Sequence, residues 1–566
     1  MKAGKFLIPV FLSVLGIFSL CAVNIQSVKS QPSPNYIYIQ SDGNIRTSDN
    51  VAVPIQRVGD LYTFNGNISS HSVVVQRSNI VVDGAGFTLQ GTYWDTIGID
   101  LSSRSNVTVR NLTIIGYDIY GIYLSKSSNN LIVENDLIAD DIGIRILEHS
   151  NNNIISTNNI TNCHNSGIAI EDASNNNIIS ANNITNCVNG IGIIASSNNE
   201  LRNNRMNNMY NFGVYGTELA HFFNEVDDSN TVNGRLVYYL VNQSDVVINS
   251  YTFPDLGFLA LVNCINMTAQ NLKLTLNGQG ALLAFTTNSS ITSNTITKNY
   301  NGLELYSSST IMIFGNNITN NNNGIQLGGS SRGNRLYTNN IKNNINGVGL
   351  IRSSGNTIYN NYFISNRNQV YDAHMGDTTI TNSVNDWNLG YPKGGNYWND
   401  YTGVDVKSGA GQDQPGDDGI GDTPYVIYEN NQDNYPLLPY GSPPAIHVVS
   451  PENKTYTATE VSLIFFLSEP TPWIGYSLDG QANVTIIGNT TLSGLSYGLH
   501  SVTVHATDND GMTGTSETIY FTAAQEQPQP FPLILIVSAA VIVLCVAAVV
   551  LGLVTYIRRK RKTTNN

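Results

Sequence analysis

The chain has 566 residues with a formal net charge of −13, and only 12% of its residues are charged, against about 25% in average soluble proteins. Its polarity therefore comes from uncharged amides and hydroxyls, and the acidic balance argues against a nucleic-acid partner, which would need clustered Lys and Arg. Five Cys residues are too few for a disulfide-stapled mini-fold, whereas 41% hydrophobic residues suffice for a core.

The N-terminus has the features of an export signal. A basic start with Lys2 and Lys5 precedes an apolar run from Phe6 to Val23. We therefore predict a signal peptide over residues 1–30, followed by an N-terminal cap of the next domain over residues 31–72.

A repeat dominates the following part of the chain. Ser150-Asn-Asn-Asn-Ile-Ile-Ser-Thr-Asn-Asn-Ile-Thr-Asn-Cys returns with one substitution 24 residues later, from Ser174. Short alternating strands follow a Gly in each unit, as in Gly143-Ile-Arg-Ile, and Asn and Gly tolerate the left-handed backbone of tight corners. A unit of 22 to 25 residues cannot bury its own apolar face, but stacked units can.

These repeats predict an all-β fold, a right-handed parallel β-helix over residues 73–372. Stacked Asn side chains would bond to one another along its corners. A leucine-rich-repeat horseshoe is the main alternative, but its Leu spacing and helices are missing. The stretch at about 215–259 breaks the period and predicts an insertion or a decorated turn.

The remainder of the chain falls into five segments. Residues 373–440 form an acidic segment rich in Gly, Asp and Tyr that completes the helix domain. Residues 443–523 read as short strands separated by turns, which predicts a small immunoglobulin-like β-sandwich, and residues 524–532 form a linker. Residues 533–557 are apolar enough for one C-terminal transmembrane helix, and the basic tail at 558–566 would stay cytoplasmic.

Three features resemble a known family. The repeats, the segment Asn233-Gly-Arg-Leu-Val-Tyr-Tyr-Leu-Val-Asn and the segment Gly395-Asn-Tyr-Trp-Asn-Asp-Tyr-Thr-Gly resemble right-handed β-helix proteins of the NosD type, a periplasmic copper-binding family. That family overlaps the carbohydrate-binding and sugar-hydrolase (CASH) domains. The resemblance covers about residues 70–440 and implies the fold. It also suggests copper, but the eight His are scattered and form no copper constellation, so copper rests on the resemblance alone.

Aligned repeats place charged and aromatic residues in three columns of one outer face. We predict that these columns form a polar strip that contacts a ligand: Asp118, Asp140 and His164; Tyr123 and Arg145; Lys126, Glu148 and Asp172. Acids, bases and cations are what a polysaccharide hydrolase or lyase needs. The alternative is a solvated face of stacked opposite charges. No catalytic residue is assigned.

Cysteines and acidic residues suggest two further sites. Cys163 and Cys187 occupy equivalent positions one turn apart, which suits a disulfide in an exported protein, although a reduced buried pair is the alternative. A Gly-rich loop carries carboxylates at the short spacing of calcium loops: Asp413, Asp417, Asp418 and Asp422. A solvated acidic loop is the alternative there, and no other cofactor is indicated.

The sequence as a whole indicates a single-pass protein of the cell membrane with a large extracellular region. We predict that its β-helix binds carbohydrate or another surface polymer. Three alternatives stay open: a polysaccharide lyase, hydrolase or epimerase; a NosD-like role in copper binding or metalloenzyme maturation; and a structural envelope or adhesion component.

Overall fold

The computed structural model describes residues 35–91, 96–416, 418–428, 430–438, 444–467, 471–507, 513–525, 550–552 and 554–555. The chain divides into two compact units, Met1–Ser442 and Pro443–Asn566. The predicted signal peptide at 1–30 and the predicted basic tail at 558–566 lie outside the described residues.

The first unit is all-β and forms a right-handed β-helix of about 14 turns, as the repeats predict. It consists of two successive coils, each with its own core. The first coil has three sheets. Sheet 1 contains β1 (Asn35–Ile39), β2 (Ile45–Thr47), β6 (His71–Val75), β9 (Ile97–Asp100), β12 (Tyr120–Ser125), β15 (Ile142–Leu147), β18 (Ser166–Glu171), β21 (Asn189–Ile194) and β24 (Tyr210–Tyr215). Sheet 2 contains β3 (Ile55–Val58), β4 (Leu61–Phe64), β7 (Ile80–Asp83), β10 (Val107–Arg110), β13 (Leu131–Val133), β16 (Ile154–Ser156), β19 (Ile178–Ser180), β22 (Glu200–Arg202) and β25 (Glu225–Val226).

Sheet 3 runs through both coils. Its strands in the first coil are β5 (Ile68–Ser69), β8 (Thr88–Gln90), β11 (Thr113–Ile115), β14 (Asp136–Ile138), β17 (Asn159–Thr161), β20 (Asn183–Thr185), β23 (Arg205–Asn207) and β26 (Thr231–Val232). Its strands in the second coil are β27 (Arg235–Val241), β29 (Leu256–Val262), β32 (Gln279–Ala284), β35 (Asn301–Tyr306), β38 (Asn323–Gly328), β41 (Asn346–Leu350) and β44 (Asn368–Asp372).

Two further sheets complete the second coil. Sheet 4 contains β28 (Val247–Ile248), β30 (Thr268–Gln270), β33 (Ser290–Thr292), β36 (Met312–Phe314), β39 (Arg335–Tyr337) and β42 (Thr357–Tyr359). Sheet 5 contains β31 (Lys273–Thr275), β34 (Thr295–Thr297), β37 (Asn317–Thr319), β40 (Asn340–Lys342), β43 (Tyr362–Ile364) and β45 (Tyr397–Trp398). Short 3-10 helices occur at Leu219–Phe222 and Ala373–Met375.

Apolar columns fill the interior because the parallel register stacks like on like. Ile122 pairs with Ile144, which pairs with Ile168, and all three are fully buried. Burying each such side chain stabilises the fold by about 1.5–3 kcal/mol. The alternation of apolar and polar residues within each short strand therefore determines which face points inward.

Asn ladders follow the corners. Asn158 Oδ1 accepts hydrogen bonds from both the backbone N–H and the side-chain amide of Asn135, each at 3.0 Å. Asn158 in turn donates in the same way to Asn182 Oδ1. Each rung is buried, and its amide also reaches a main-chain carbonyl, as Asn158 does to Ile132 at 2.9 Å. The ladders thus satisfy the backbone groups that tight corners leave without partners.

The predicted break at 215–259 lies where one coil ends and the next begins. Strand β27 runs antiparallel to β26 and then pairs in parallel with β29. All seven residues of β29 are buried, because Phe258 and Ala260 join the core of the first coil while Leu259 and Leu261 join that of the second. The stretch therefore contributes strands and core to both coils.

Hairpins and loops close the two ends of the unit. At the start, β1 pairs with β2 and β3 pairs with β4, both antiparallel. At the end, two antiparallel pairs follow the last coil strand: β46 (Lys407–Ser408) with β47 (Gln414–Pro415), and β48 (Tyr425–Tyr428) with β49 (Asn431–Asp433). Asp433 is fully buried and accepts from Asn396 N at 2.6 Å and Trp398 Nε1 at 2.9 Å. Burial raises the pKa of Asp433 to about 6.

The second unit holds a smaller all-β core. One sheet contains β50 (Ile446–Ser450), β52 (Val461–Leu467) and β55 (Thr490–Leu492); the other contains β51 (Thr455–Tyr456), β53 (Trp473–Leu478), β54 (Val484–Ile486), β56 (Gly498–Thr507), β57 (Thr513–Thr515) and β58 (Ile519–Ala523). Leu463 from the first sheet and Val504 from the second belong to one buried cluster. The immunoglobulin-like identity of this unit stays a prediction.

The predicted membrane helix is described only in part. Of residues 533–557, the structure describes 550–552 and 554–555, which are helical. Among the residues that the structure describes, no helix is long and apolar enough to span a bilayer.

Candidate functional site

The strand register shows where the three predicted columns lie. Tyr123 pairs with Arg145 on the outer face of sheet 1. Lys126, Glu148 and Asp172 follow the ends of three successive sheet 1 strands and share a left-handed backbone, with φ of 52° at each. Lys126 Nζ lies 3.5 Å from Glu148 Oε2, and Ser125 Oγ donates to the same oxygen at 2.6 Å. In this third column, Lys126 and Glu148 therefore form an ion pair, and the side chains are largely solvated.

The structure places Asp140 inside the coil, whereas the column alignment predicts it on the outer face. Its side chain is fully buried, and Oδ1 accepts the backbone N–H of Tyr117 at 2.8 Å. The inner corner column continues with Cys163 and Cys187. The corner from Tyr117 to Gly121 has one residue more than the corner from Asp140 to Gly143. In the structure, Asp140 is therefore aligned with the buried Tyr117, and Asp141 takes the outer position beside Asp118.

The outer face of sheet 1 carries a compact network centred on Arg145. We call Tyr120, Tyr123, Asp141, Arg145 and Glu171 the Arg145 cluster. Arg145 Nη2 lies 2.6 Å from Glu171 Oε2, and Arg145 Nε donates to the same oxygen at 3.1 Å. Arg145 Nη1 donates to the hydroxyl of Tyr120, whose ring lies beneath the guanidinium with its centroid 5.1 Å away.

Aromatic packing fixes the other side of the Arg145 cluster. The rings of Tyr120 and Tyr123 stack with centroids 4.9 Å apart. The side chains of Arg145 and Glu171 are 22% and 16% exposed, so the ion pair is partly desolvated yet reachable from solvent. A partly buried pair in which two donors share one carboxylate oxygen holds its geometry better than an exposed pair does.

Asp141 is an acidic member of the Arg145 cluster, and its pKa is raised. It is half-buried, and desolvation raises the pKa of Asp141, while nearby His164 acts in the opposite direction and the charge of Asp118 adds to the rise. His164 and Asp118 are both exposed. The structure therefore brings Asp118, Asp141 and His164 together at the rim of the Arg145 cluster.

The two cysteines are free, buried thiols in this structure. Cys187 Sγ accepts the backbone N–H of Cys163 at 3.3 Å, in the position that an Asn oxygen takes in the ladders. The hydrogen bond with Cys187, together with burial, raises the pKa of Cys163. The structure thus has the reduced pair that the sequence left open as the alternative to a disulfide.

The carboxylates of the acidic loop mostly face backbone amides. Asp418 Oδ2 accepts from Gly409 N at 3.1 Å, and Asp422 Oδ1 accepts from Lys407 N at 3.1 Å. Asp413 Oδ1 accepts from the side chain of Gln414, and Asp417 lies outside the described residues. Calcium binding here stays a prediction, since these bonds shape the loop without a cation.

Copper does not fit the donor atoms that the structure describes. Within the described ranges, no group of three His, Cys, Asp or Glu side chains is placed to hold a metal ion. His374 Nδ1 contacts the carbonyl of Ile380, and His500 Nδ1 lies 2.8 Å from Asp479 Oδ2. Copper sites need clustered His, Cys or Met ligands, so no chemistry at copper is derived for this chain.

Sequence reasoning missed a second group of polar side chains, on the second coil. Glu304 occupies the variable position of Gly302-Leu-Glu-Leu, which is the position of Arg145 in Gly143-Ile-Arg-Ile. It lies on β35, where the outer face of the second coil meets the last strand of the first. Comparing this motif position across all repeats could have found it, but the packing of one coil on the other has no sequence signal.

Comparisons with known proteins give one family and several solved structures. The family model described as "Periplasmic copper-binding protein (NosD)" matches residues 28–238 and 224–403. No curated protein matches the chain. The A-module of mannuronan C-5 epimerase AlgE6 of Azotobacter vinelandii is 15% identical with a TM-score of 0.20, and the match covers 58% of this chain and 87% of that one.

Two other solved structures are similar at the same level. The periplasmic alginate epimerase AlgG is 12% identical with a TM-score of 0.23, covering 62% of this chain and 82% of that one. The catalytic domain of a GH87 α-1,3-glucanase in complex with nigerose is 14% identical with a TM-score of 0.22, covering 60% and 63%. The two stretches matched by the family model span all the strands of both coils.

Proposed function

We propose that this chain, which belongs to the NosD family, binds a carbohydrate or another surface polymer on the outer face of its first coil. The observation that carries the proposal is the preorganised guanidinium of Arg145. Glu171 and Tyr120 hold it, and they use only part of its five N–H donors. The remaining donors are free to bind hydroxyl or carboxylate oxygens of a ligand at little entropic cost.

The rest of the Arg145 cluster suits the same class of ligand. Stacked Tyr rings offer an apolar surface with a polar tip, and the half-buried carboxyl of Asp141 accepts hydrogen bonds from hydroxyls. Sheet 1 continues over successive turns on both sides of the Arg145 cluster, which suits a long polymer better than a small molecule.

Arg145→Ala should reduce glycan binding by at least about tenfold, because a desolvated charge-assisted contact contributes on the order of 1.5–3 kcal/mol. The measurement is binding of the purified chain to an immobilised array of neutral, amino and uronic oligosaccharides. Arg145→Lys should recover little, since an ammonium lacks the planar fork.

A matched control comes from another face of the same coil. Arg110 forms a similar pair with Asp83, at 2.9 Å, on sheet 2. Arg110→Ala should leave glycan binding within about twofold of the wild type. Equal losses in the Arg110 and Arg145 variants would show that the Arg145 cluster has no special role.

Catalysis on the bound polymer is the second candidate function. Asp141, with its raised pKa, lies beside His164 and Asp118, so an acid and a base are both present at the rim of the Arg145 cluster. New reducing ends or unsaturated products in the array incubations would establish a hydrolase or a lyase. If neither appears with a glycan that binds, the protein is a binder of that glycan.

Anchoring completes the proposal. The signal peptide at 1–30 would direct export, and the transmembrane helix at 533–557 would hold residues 31–525 outside the membrane. Protease added to intact cells should then digest residues 31–525 and spare a short C-terminal fragment. A full-length chain that survives this treatment in intact cells and is digested only after lysis would contradict the proposed topology.

A further inference from the structure

The outer faces of the two coils meet beside Glu304. The amide of Gln279 on β32 exchanges two hydrogen bonds with the backbone of Val214 on β24: Val214 N donates to Oε1 at 3.2 Å, and Nε2 donates to Val214 O at 3.1 Å. Phe212 and Phe258 pack edge to face across the same junction, with centroids 4.9 Å apart. These contacts fix the end of sheet 1 against the strands of the second coil.

Glu304 is a desolvated carboxylate without a counter-ion. Its Oε2 accepts from Asn301 Nδ2 at 2.8 Å and from Gln279 Nε2 at 3.0 Å. Within the described part of the chain, no donor reaches Oε1 and no Lys, Arg or His pairs with the carboxylate. Desolvation raises the pKa of Glu304. The residue is still partly accessible, so Oε1 can accept from a ligand.

Tyr215 and Tyr300 lie near this carboxylate, and Tyr210 packs against Tyr300. Burial, and after it the charge of Glu304, raises the pKa of Tyr215 well above its ordinary value. Burial also raises the pKa of Tyr300, with smaller contributions from Tyr210 and Glu304. The rings of Tyr210 and Tyr300 meet edge to face, with centroids 5.8 Å apart. All three tyrosines remain half-buried, so their rings form an apolar wall that solvent still reaches.

We propose that Glu304, Tyr210, Tyr215 and Tyr300 form a binding subsite for an uncharged sugar ring. A carboxylate oxygen without a donor suits the hydroxyl groups of a sugar, and tyrosine rings suit its apolar face. An anionic sugar would meet a negative carboxylate with no cation to offset the repulsion. This inference deepens the proposed function and rests on it for the class of polymer, but its residues are separate from the Arg145 cluster.

The same face of sheet 1 connects the two places. Arg145 is in register with Ala169, which is in register with Gly192, which is in register with Gly213. At about 4.8 Å per strand, these three steps span about 14 Å. A Cβ on Gly192 would meet no atom within 4 Å, so the surface between the two places is open at Gly192. A linear polymer lying along the coil axis would therefore reach from Arg145 to the subsite at Glu304.

Glu304→Gln tests the subsite because the amide keeps the shape and removes the charged acceptor. Binding to neutral oligosaccharides on the array should fall by at least about tenfold, with an unchanged melting temperature. Tyr300→Leu, which removes a wall and keeps the carboxylate, should weaken the same binding and serves if the first variant does not fold. Glu134→Gln, at an exposed position of the first coil, is the matched control and should bind as the wild type does.

The outcomes separate this inference from the proposed function. Loss in the Arg145→Ala variant with full binding in both subsite variants would overturn the subsite and keep the proposed function. Loss of binding in the subsite variants with full binding by the Arg145→Ala variant would overturn the role of the Arg145 cluster and keep the subsite. Binding that depends on Glu304 but is limited to amino sugars would overturn the uncharged class, and a wild-type chain that binds no glycan would overturn both proposals.

Discussion

Gly190→Ala should destabilise the first coil by at least about 2 kcal/mol. A Cβ at Gly190 would lie 2.2 Å from the carbonyl oxygen of Asn211 and 2.8 Å from Asn208 Nδ2. The first of these is main chain in the next turn, so two stacked strands would have to separate. Overpacking of this kind typically costs about 1–3 kcal/mol, and the close main-chain contact with Asn211 puts this site at the upper end.

Gly192→Ala is the matched control in the same strand. A Cβ there would meet nothing within 4 Å, and alanine is less costly to order than glycine. We expect an unchanged or slightly raised stability. Urea unfolding of both variants, with hydrogen exchange of β21 and β24, measures the difference; equal stabilities would contradict the steric explanation.

Asp140→Asn should stabilise the protein by about 1–3 kcal/mol at pH 7. Asp140 is fully buried, and its Oδ2 has no hydrogen-bond partner within the described part of the chain. An amide nitrogen there could donate to a main-chain carbonyl of the preceding turn, as Asn208 Nδ2 does to Ile184 at 3.0 Å. Removing an unsatisfied buried acceptor recovers a desolvation cost of this size.

The same carboxyl makes the stability of the protein depend on pH. Desolvation raises the pKa of Asp140 well above its ordinary 3.8. The folded state therefore holds the proton more tightly than the unfolded state, so the carboxyl favours folding most below pH 3.8 and progressively less as the pH rises toward its folded pKa. The Asn variant should lose this part of the pH dependence. Asp136→Asn, at an exposed position of the same turn, is the control, and an Asp140→Asn variant less stable than the wild type at pH 7 would contradict the assignment.

The repeat itself made most of the fold predictable. The period and the alternation of Ile with polar residues predict the β-helix, and the stacked Asn side chains predict the ladders; the structure confirms the β-helix. The glycines of Gly143-Ile-Arg-Ile and its equivalents are explained differently. Their backbone is not left-handed; instead, a Cβ at Gly143 would lie 2.7 Å from the carbonyl of Gly167 in the next turn. The small distance between adjacent turns therefore requires glycine at this position, and the sequence of a single repeat does not show that distance.

The position of a candidate site residue could be predicted only where the motif of a single strand determines which face the residue occupies. Tyr123 and Arg145 belong to the regular part of the strand, so alignment of the motif places them correctly. Asp140 lies in a corner whose length varies by one residue, and such a change exchanges an inner for an outer position. Glu304 lies on a repeat that looks ordinary, and its surroundings arise only when the second coil packs on the first.

The Asn ladders have a direction. In the buried corner ladders, the Oδ1 of a rung accepts from the Asn of the turn before it, and the backbone N–H of that rung donates to the Asn Oδ1 of the turn after it. Such a stack has two chemically unlike ends. The C-terminal end has N–H groups to satisfy and needs oxygen atoms. There Asn431 Oδ1 accepts from Asn385 N and Asp433 Oδ2 accepts from Asn396 N. An ionised carboxylate offers only acceptors, so it can satisfy the N–H groups at this end of the ladder. In the middle of a ladder, as at Asp140, it leaves one oxygen without a donor.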